Sequence, residues 1–553
     1  MKRFLTLILS ALALTAAMGA ASEAVRKDRF SRKLNTFNTI VKELQTGYVD
    51  TLDAVTIMDK TIEALLYQID PYTEYYPADN QDEILSISQG QYAGIGSYIG
   101  KHDGKIFITE PQWTSPARKG GLRPGDIILA VNGDSVTAST DVSDVSKKLR
   151  GQAGTEVRVD VKRPYAADSL LSFNITRANI KVNPLPYYGL LPNGIGYILL
   201  TTFNESSARQ VREAILDMMH SPDFKGLVID LRGNGGGLLE SAVQIASNFV
   251  PKGTEILRTK GRDARDERIY KTIGKPLDTS LPLVILTDGG TASASEIVAG
   301  SMQDLDRAVI VGERSFGKGL VQTTRPLPYD DLLKLTTGRY YIPSGRLIQA
   351  LDYSHRNPDG TPARTPDSLT HEFATKGGRI VRDGGGITPD VIIKRPEGNR
   401  LLYNIMADFW AFDFANKYVA EHPDSISADS VIVTDEVFEA FKASIDPDRF
   451  KYDRQCETAI QYLRDAAKTE GYMTDSVAAQ FDVLASLLKH DLNHDLEINR
   501  KEISDLLEDE IAIRYFSDGE RVRRTLPSDT VLKEAVTILL DPERYKSILS
   551  PKK

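Results

Sequence analysis

The spacing of apolar positions changes three times along this chain, and each change predicts a different kind of structure. Over 30–69, apolar residues recur every three or four positions, which is the period of an amphipathic helix. From about 85 to 180, short alternating stretches lie between glycine-rich turns and predict a small β-rich domain. Between 181 and 395, apolar strands alternate with helical segments, as in an α/β core. After about 396 the pattern is helical to the end, and a long polar loop is predicted over 353–387.

The first 21 residues differ from everything that follows. Lys2 and Arg3 precede an almost wholly apolar run from Phe4 to Ala17, and small residues come next. This order is typical of a secretory signal peptide. An uncleaved membrane anchor is the alternative, although the run is short for a membrane span. We therefore expect an exported, periplasmic protein, with membrane association or secretion as alternatives.

Length and composition narrow the classes of protein. A chain of 553 residues is too long for one hydrophobic core, since such cores stop growing near ~250–300 residues. The net charge of −8, without a basic run, argues against a nucleic-acid partner. Cys456 is the only cysteine, which excludes an intrachain disulfide, a thiolate zinc site and a cysteine-pair redox centre. The predicted regions are a signal peptide (1–21), an N-terminal helical region (22–84), the β-rich domain (85–180), the α/β core (181–395) and a C-terminal helical domain (396–553).

A candidate nucleophile lies in DGGTASASEIVAG (288–300), between a predicted buried strand and a predicted helix. A serine at this junction sits beside the free N–H groups of a helix N-terminus, where an oxyanion is stabilised during acyl transfer. Ser293 and Ser295 both fit. Serines at such positions more often cap the helix, and Ser295 with Glu296 suits that role well. Spacing alone does not choose between the two.

A serine nucleophile needs a base. The chain has no G-x-S-x-G nucleophile motif. Of its seven histidines only His220 lies near the predicted segments of the α/β core. Both observations disfavour a histidine-dependent hydrolase. Lys318, in GERSFGKGLVQ (312–322), has apolar neighbours that would favour the neutral amine over the charged form that lysine, with a pKa near ~10.4, ordinarily carries. If this stretch is extended, Gln322 shares a face with Lys318 and orients its amine. A solvated turn lysine is the alternative.

Three other motifs suggest ligands less strongly. GERSFGKG (312–319) imitates a phosphate-binding P-loop, but Gly319 replaces the hydroxyl residue that would hold magnesium. DLRGNGGG (230–237) offers N–H groups to an anion or forms a tight strand-to-helix turn. The polar residues between 491 and 502 nearly fit a calcium loop, but Leu496 replaces the required glycine. We therefore predict neither a metal nor a cofactor.

Taken together and in this order, the motifs resemble those of the carboxyl-terminal processing (tail-specific) serine proteases over roughly 30–395. DPYTEYY (70–76) looks like the end of the family's N-terminal region, and GIG (94–96) with GLRPGDIILAVNG (121–133) looks like its PDZ domain. The resemblance implies an α/β multidomain fold. It would combine a crotonase/ClpP-like protease core with an inserted PDZ domain and helical N- and C-terminal regions.

The resemblance also implies roles for individual residues. Many family members have proline where this chain has Gly235, which leaves the geometry of the glycine-rich loop open. The implied residues are the nucleophile Ser293, the base Lys318, its supporting Gln322, and the oxyanion donors Ala294 and Gly236, with Gly237 as the alternative to Gly236.

The implied PDZ domain would take the C-terminal carboxylate of a substrate by β-addition near Tyr92–Ile95, on N–H groups of Gly94, Ile95 and Gly96. In the family this domain also gates proteolysis; a purely structural PDZ domain is the alternative. The expected protein is an endopeptidase for exported or envelope proteins with disordered apolar C-termini. A catalytically silent PDZ scaffold is its rival. The region beyond 396 is poorly covered by the resemblance, so a homodimer or an adaptor contact through the helical ends stays open.

Overall fold

The computed structural model describes residues 28–78, 90–166, 169–394, 398–422, 431–452 and 454–551. The predicted signal peptide lies outside these residues. The chain forms two compact units. The smaller contains the described residues up to Ala78 together with Gln322–Thr336, and the larger contains the rest. Within the described ranges, no helix is both long enough and apolar enough to cross a membrane.

The smaller unit begins with the two helices that the apolar spacing predicts. They are α1 (28–47) and α2 (Ala54–Tyr67), and the short strand β1 (Glu74–Tyr76) follows them. The Asp53 carboxylate caps α2 by accepting from the N–H groups of Val55 and Thr56. Strand β1 pairs antiparallel with residues 332–334. The hydroxyl of Tyr75 donates to Asp331 at 2.6 Å, which raises the pKa of Tyr75 to about 12.

A β-rich domain opens the larger unit. In strand β7, Val157, Val159 and Val161 face the core of this domain and alternate with residues that face outward. Five strands pair antiparallel in the order β3-β4-β5-β7-β8, β6 pairs with β5, and β2 pairs with β9. The strands are β2 (Gln91–Gly94), β3 (Ser97–His102), β4 (Lys105–Pro111), β5 (Ile127–Val131), β6 (Asp134–Ser135), β7 (Glu156–Lys162), β8 (Leu170–Thr176) and β9 (Ala178–Lys181), and the helices are α3 (Pro116–Lys119) and α4 (Val142–Leu149).

The core of the larger unit is a six-stranded sheet with the order β10-β11-β12-β15-β16-β23. Every neighbouring pair is parallel except β10–β11. The central strands β12, β15 and β16 are buried at every residue, as expected for parallel strands covered on both faces. The elements are β10 (Tyr187–Leu190), β11 (Ile195–Leu199), β12 (Gly226–Asp230), β15 (Leu283–Thr287), β16 (Val309–Gly312), β23 (Val391–Ile392), α5 (Ser207–Met218), α6 (Leu239–Ala246) and α7 (Ala294–Asp304).

Additional strands flank this core. Strand β18 pairs with β13 through 338–341 in the larger unit and with β1 through 332–334 in the smaller one. The long loop predicted over 353–387 is wrong in part, since two short antiparallel pairs, β19–β20 and β21–β22, form there. These strands are β13 (Glu255–Gly261), β14 (Arg268–Lys271), β17 (Leu320–Pro326), β18 (Leu332–Tyr341), β19 (Leu351–Arg356), β20 (Pro362–Arg364), β21 (Glu372–Ala374) and β22 (Ile380–Arg382).

The C-terminal region is helical, as its spacing predicts. Residues 492–498 form a helix with Leu496 buried in it, so no calcium loop exists at the polar cluster. The helices are α8 (Arg400–Ala407), α9 (Trp410–Glu421), α10 (Asp435–Ser444), α11 (Gln455–Thr469), α12 (Asp475–Leu487), α13 (Leu492–Ile498), α14 (Arg500–Tyr515), α15 (Asp518–Thr525), α16 (Thr530–Leu540) and α17 (Pro542–Ile548).

Helix α16 covers one face of the central sheet. Its apolar positions at three- and four-residue steps pack against buried side chains of the sheet such as Val228, Val284 and Val311. The opposite face of the sheet is covered by α5, α6 and α7. The hydroxyl of Tyr545, in α17, also donates to the carbonyl of Leu283 at 3.2 Å. The C-terminal helices therefore complete the core of the α/β domain.

This packing predicts the effect of truncating α16. Ile538→Ala should lower the free energy of unfolding by about 2–5 kcal/mol, because Ile538 has no exposed surface and its removal leaves a cavity. Leu540→Ala is the matched control in the same helix, because Leu540 is 47% exposed, and it should change stability by less than about 0.5 kcal/mol. Urea unfolding measures both; equal effects would contradict the packing described.

Candidate active site

Ser293 stands where strand β15 gives way to helix α7. The strand ends at Thr287, the helix begins at Ala294, and Ser293 has φ +57° and ψ −114°. A non-glycine residue in such a conformation is strained, and the surrounding packing must hold it there. From Thr291 to Gly300, Ser293 is the one residue that is only partly buried, and the others are buried. Its side chain is therefore presented at the surface by an otherwise buried segment.

The second serine of the motif points into the protein. Ser295 has no exposed surface, and its hydroxyl donates to the carbonyl oxygen of Asn234 at 2.9 Å. It anchors the glycine-rich loop and is closed to a substrate. Of the two serines that spacing leaves tied, burial favours Ser293 as the nucleophile.

The carboxylate of Glu296 joins the serine to the lysine segment. One of its oxygens, Oε2, accepts from the backbone N–H of Ser293 at 2.9 Å and from that of Lys318 at 2.8 Å. The other oxygen accepts from the Ser315 hydroxyl at 2.5 Å and from the Gly317 N–H at 2.7 Å. Because both donate to Oε2, the backbone nitrogens of Ser293 and Lys318 are no farther apart than the sum of their two distances to that atom.

Glu296 has no exposed surface. The pKa of its carboxyl group is raised, because burial outweighs the opposing effect of the hydrogen bonds from Ser315, Lys318, Ser293 and Gly317. The four donors stabilise the carboxylate in this buried position, because a buried charge without hydrogen-bond partners is very costly in free energy.

Lys318 is half-buried in the extended segment between β16 and β17. The neighbouring Gly317 has φ +88°, and a Cβ there would lie 2.4 Å from the Cβ of Ala350, so only glycine fits. The N–H of Gly319 donates to Gln349 Oε1 at 2.7 Å. This segment continues into a strand, whereas a P-loop opens a helix whose N-terminus holds the phosphates. The P-loop interpretation is therefore wrong.

Gln322 belongs to the smaller unit. It lies in β17, and its side-chain amide donates to the hydroxyl of Thr336, in β18, at 3.1 Å. Its support of Lys318 stays a prediction.

The glycine-rich loop after β12 lies directly against the serine. Gly236 has φ +101°, and a Cβ on it would come within 2.8 Å of Ser293 Cβ and 2.9 Å of the Ala294 nitrogen. The N–H of Gly236 donates to Asn234 Oδ1 at 2.9 Å, so it is already engaged. Among the described residues, the N–H groups of Ala294 and Gly237 have no hydrogen-bond acceptor. Gly237 is also exposed.

Asn234 fixes the shape of this loop. Its side chain donates to the carbonyl of Leu200 at 2.7 Å and accepts from Gly236, and its own carbonyl accepts from the N–H of Ala292 at 3.0 Å. Asn234 has no exposed surface. The residue therefore ties the loop both to β11 and to the segment that carries Ser293.

A second candidate site lies at the turn between β2 and β3. The carbonyl of Ile95 accepts from Ala117 at 2.8 Å and that of Gly96 accepts from Gln112 at 3.0 Å, which fixes the turn. In the described part of the chain, the N–H groups of Ile95 and Gly96 have no acceptor, whereas Gly94 lies in β2, paired with β9. Strand β3 is an edge strand with α4 beside it. Such a turn and edge suit an extended peptide that ends in a carboxylate.

Across the described ranges, no group of three or more His, Cys, Asp or Glu side chains is placed to hold a metal ion.

Comparison with known proteins accounts for this arrangement. Peptidase family S41 matches residues 194–354, a PDZ domain matches 107–163, and the C-terminal helical domain of probable PDZ-proteases matches 401–539. A carboxy-terminal-processing protease of Bartonella bacilliformis is 32% identical over 368 residues, which are 66% of this chain and 76% of that protein. This chain belongs to peptidase family S41, among the carboxy-terminal processing proteases.

Other members of this protease family match over similar lengths. The carboxy-terminal processing protease CtpB of Bacillus subtilis is 32% identical over 338 residues, 60% of this chain and 69% of that protein. Among solved structures, a photosystem II D1 C-terminal processing protease is 28% identical, covers 65% of this chain and 86% of its own, and has a TM-score of 0.36. The predicted family and the α/β multidomain fold with a PDZ domain are confirmed, and the protein is a protease.

Sequence reasoning did not find the part that Glu296 takes in this protease site. It assigned helix capping to Ser295 with Glu296, but the N-cap is Ser293, whose N–H donates to Glu296, and it did not connect Glu296 to the lysine segment some 20 residues away. The sequence carried little signal for it, because five of the eleven residues of α7 are polar or charged although the helix is buried at every residue. A glutamate in such a helix must be buried too, and it must then find several donors.

The contacts of Glu296 generate a prediction. Glu296→Gln should lower the free energy of unfolding by about 2–3 kcal/mol, because the new NH₂ group faces donors instead of accepting from them. Peptidase activity should fall about 100-fold as the Ser293 and Lys318 segments separate. Glu240→Gln is the matched control, since Glu240 is an exposed glutamate in the first turn of α6. Urea unfolding and peptide cleavage measure the two effects; a variant that cleaves at the wild-type rate would contradict this role.

Proposed function

We propose that this protein is a serine endopeptidase that binds disordered apolar C-terminal tails through its PDZ domain and cleaves the chain at Ser293, with Lys318 as base and Gln322 in support. One observation carries the proposal. A single buried oxygen of Glu296 accepts from the backbones of both Ser293 and Lys318, while Ser293 is the one partly exposed residue of its segment. A nucleophile and an amine are thereby held on neighbouring backbones.

The proposed reaction proceeds through an acyl-enzyme. The Ser293 hydroxyl attacks the scissile carbonyl carbon while the neutral amine of Lys318 takes its proton. The amine then protonates the leaving nitrogen as the C–N bond breaks. Water, deprotonated by the same amine, attacks the ester carbonyl, and the bond to Ser293 Oγ breaks with return of the proton. Gln322 is proposed as the residue that supports the lysine on the strength of the family resemblance.

The oxyanion would be held by two backbone N–H groups. Ala294 supplies the first, at the free N-terminus of α7. The glycine-rich loop supplies the second, and of the two candidate residues Gly237 has the unengaged N–H, while that of Gly236 donates to Asn234. Gly236 allows the loop to lie close to Ser293, because any side chain at this position would collide with Ser293.

The substrates that we propose are exported or envelope proteins. The PDZ turn at Ile95 and Gly96 offers N–H groups suited to a terminal carboxylate, and the edge of β3 offers a strand position for the preceding residues. An exported location rests on the signal-peptide pattern of the first 21 residues. Detection of the protein in a periplasmic extract, rather than in the cytoplasmic fraction, tests this location.

The serine assignment predicts different outcomes for the two serines. Ser293→Ala should abolish cleavage of an unstructured peptide while peptide binding survives. Ser295→Ala should keep activity within about tenfold of wild type, because it removes one hydrogen bond to the loop, about 1 kcal/mol. Mass spectrometry after reaction with a fluorophosphonate should locate the label on Ser293.

Full activity in Ser293→Ala would overturn the assignment. Absence of cleavage in the wild-type protein with every peptide that binds would favour the alternative of a silent PDZ scaffold.

The PDZ site predicts dependence on a free carboxylate. In the Ser293→Ala protein, a peptide with an amidated C-terminus should bind more weakly than the free acid by about 1.5–3 kcal/mol, because charge-assisted hydrogen bonds to backbone N–H groups are lost. An N-terminally acetylated peptide of the same sequence is the control and should bind as well as the free acid. Calorimetry measures all three; equal affinities would indicate a purely structural PDZ domain.

A further inference from the structure

An arginine in the glycine-rich motif connects the protease core to the C-terminal helices. The guanidinium of Arg232 binds the Asp230 carboxylate, with Nε–Oδ1 at 2.9 Å and Nη2–Oδ2 at 2.5 Å. It also binds Asp529, with Nη2–Oδ2 at 2.5 Å and Nη1–Oδ1 at 3.3 Å. Asp529 lies 297 positions further along the chain. One side chain of the loop is thus held by two carboxylates from separate parts of the larger unit.

Both carboxylates are themselves fixed. Asp230 ends β12, its side chain is 3% exposed, and it accepts from the hydroxyl of Tyr197 at 2.8 Å. Asp529 is the N-cap of α16 and accepts from the N–H groups of Val531 and Leu532, each at 2.9 Å. Helix α16 is packed on the central sheet by its buried apolar face. Arg232 is therefore attached to two rigid elements.

The loop that follows Arg232 needs such an attachment. Four of the five residues between 233 and 237 are glycines, which have the largest backbone freedom of any residue. At Gly233 and Gly235 a Cβ would meet nothing within 4 Å, so no side-chain packing restrains this part of the loop. Asn234 holds the downstream half of the loop, against Ser293. Upstream, two contacts hold the start of the loop: the Gly233 N–H donates to Asp288 Oδ1 at 2.9 Å, and the Arg232 side chain binds Asp230 and Asp529.

We infer that Asp529 is a positioning residue for the protease reaction: through Arg232, the C-terminal helical domain holds the glycine-rich loop in the conformation that presents an N–H group to the oxyanion. This inference depends on the proposed function of that loop. It assigns the C-terminal domain an indirect part in catalysis, through the position of the loop, in addition to its packing against the sheet.

Asp529→Asn tests the inference, because asparagine caps a helix as well as aspartate does but carries no charge for Arg232. The expected result is a fall in kcat of about tenfold or more with KM within about twofold, which is less than the ~100-fold loss that follows removal of an oxyanion donor itself. Hydrogen exchange of the peptide covering 231–238 should be faster than in wild type.

Asp541→Asn is the matched control. Asp541 caps α17 by accepting from the N–H of Arg544 at 3.0 Å and makes no contact with the loop among the described residues. This variant should leave kcat and the exchange of 231–238 unchanged. If Asp529→Asn does not fold, Asp529→Ser, which keeps a capping side chain, replaces it.

The outcomes separate this inference from the proposed function. Wild-type kcat in Asp529→Asn, or equal losses in Asp529→Asn and Asp541→Asn, would overturn the inference, as would a loss of kcat without faster exchange at 231–238. The exchange measurement is repeated in the Ser293→Ala background, where it needs no activity. If Ser293 proves dispensable for cleavage, the proposed function fails, and faster exchange in Asp529→Asn alone still supports the attachment of the loop.

Discussion

A carboxylate without exposed surface must be surrounded by donors, and Glu296 finds all of its donors in the two segments that carry Ser293 and Lys318. Four hydrogen bonds converge on it, three from backbone N–H groups and one from Ser315. If the lysine segment moved away, Glu296 would lose three of its four donors, and if the Ser293 backbone moved it would lose the fourth. A buried carboxylate that lacks donors costs several kcal/mol. The folded core therefore cannot keep Glu296 buried without also holding the serine and lysine backbones together. Assembly of the candidate site is in this sense a condition of burying that one side chain.

The glycine-rich loop and the Ser293 segment depend on each other in the same way. Asn234 accepts from Ala292 and Ser295 through its carbonyl, and it shapes the loop through its side chain. Ser293 keeps a strained backbone because buried neighbours on both sides leave it no other conformation. Packing of the neighbouring residues compensates for this strain. Ser295, which has no access to substrate, contributes by donating its hydroxyl to the loop at Asn234.

The sequence predicted the regular elements well because periodicity reports local burial. The strand-to-helix junction at 288–300 and the strand run at 226–231 are both present in the fold. Contacts between distant residues leave no such pattern. The engagement of the Gly236 N–H depends on how the Asn234 side chain turns, and the pairing of Arg232 with Asp529 joins residues almost 300 positions apart. The two short hairpins within 353–387 were missed because three of their four strands have only three residues, too few to show the apolar alternation on which strand prediction rests.

The C-terminal helices contact the PDZ domain as well as the loop. Arg521, in α15, pairs with Glu110 of β4 at 2.7 Å, and the ring of Phe107 packs against Phe409 and Phe412 at centroid distances of 5.1 and 5.3 Å. The ion pair is partly exposed and contributes at most about 1 kcal/mol, so the aromatic cluster dominates this attachment. Four residues separate the end of α15 from the start of α16, and three of them form a 3₁₀ turn. This connection is short and ordered. It therefore couples α15, which contacts the PDZ domain, to the Asp529 cap of α16, which binds Arg232. The C-terminal domain thus joins the PDZ domain, at β4, to the loop that lies against Ser293.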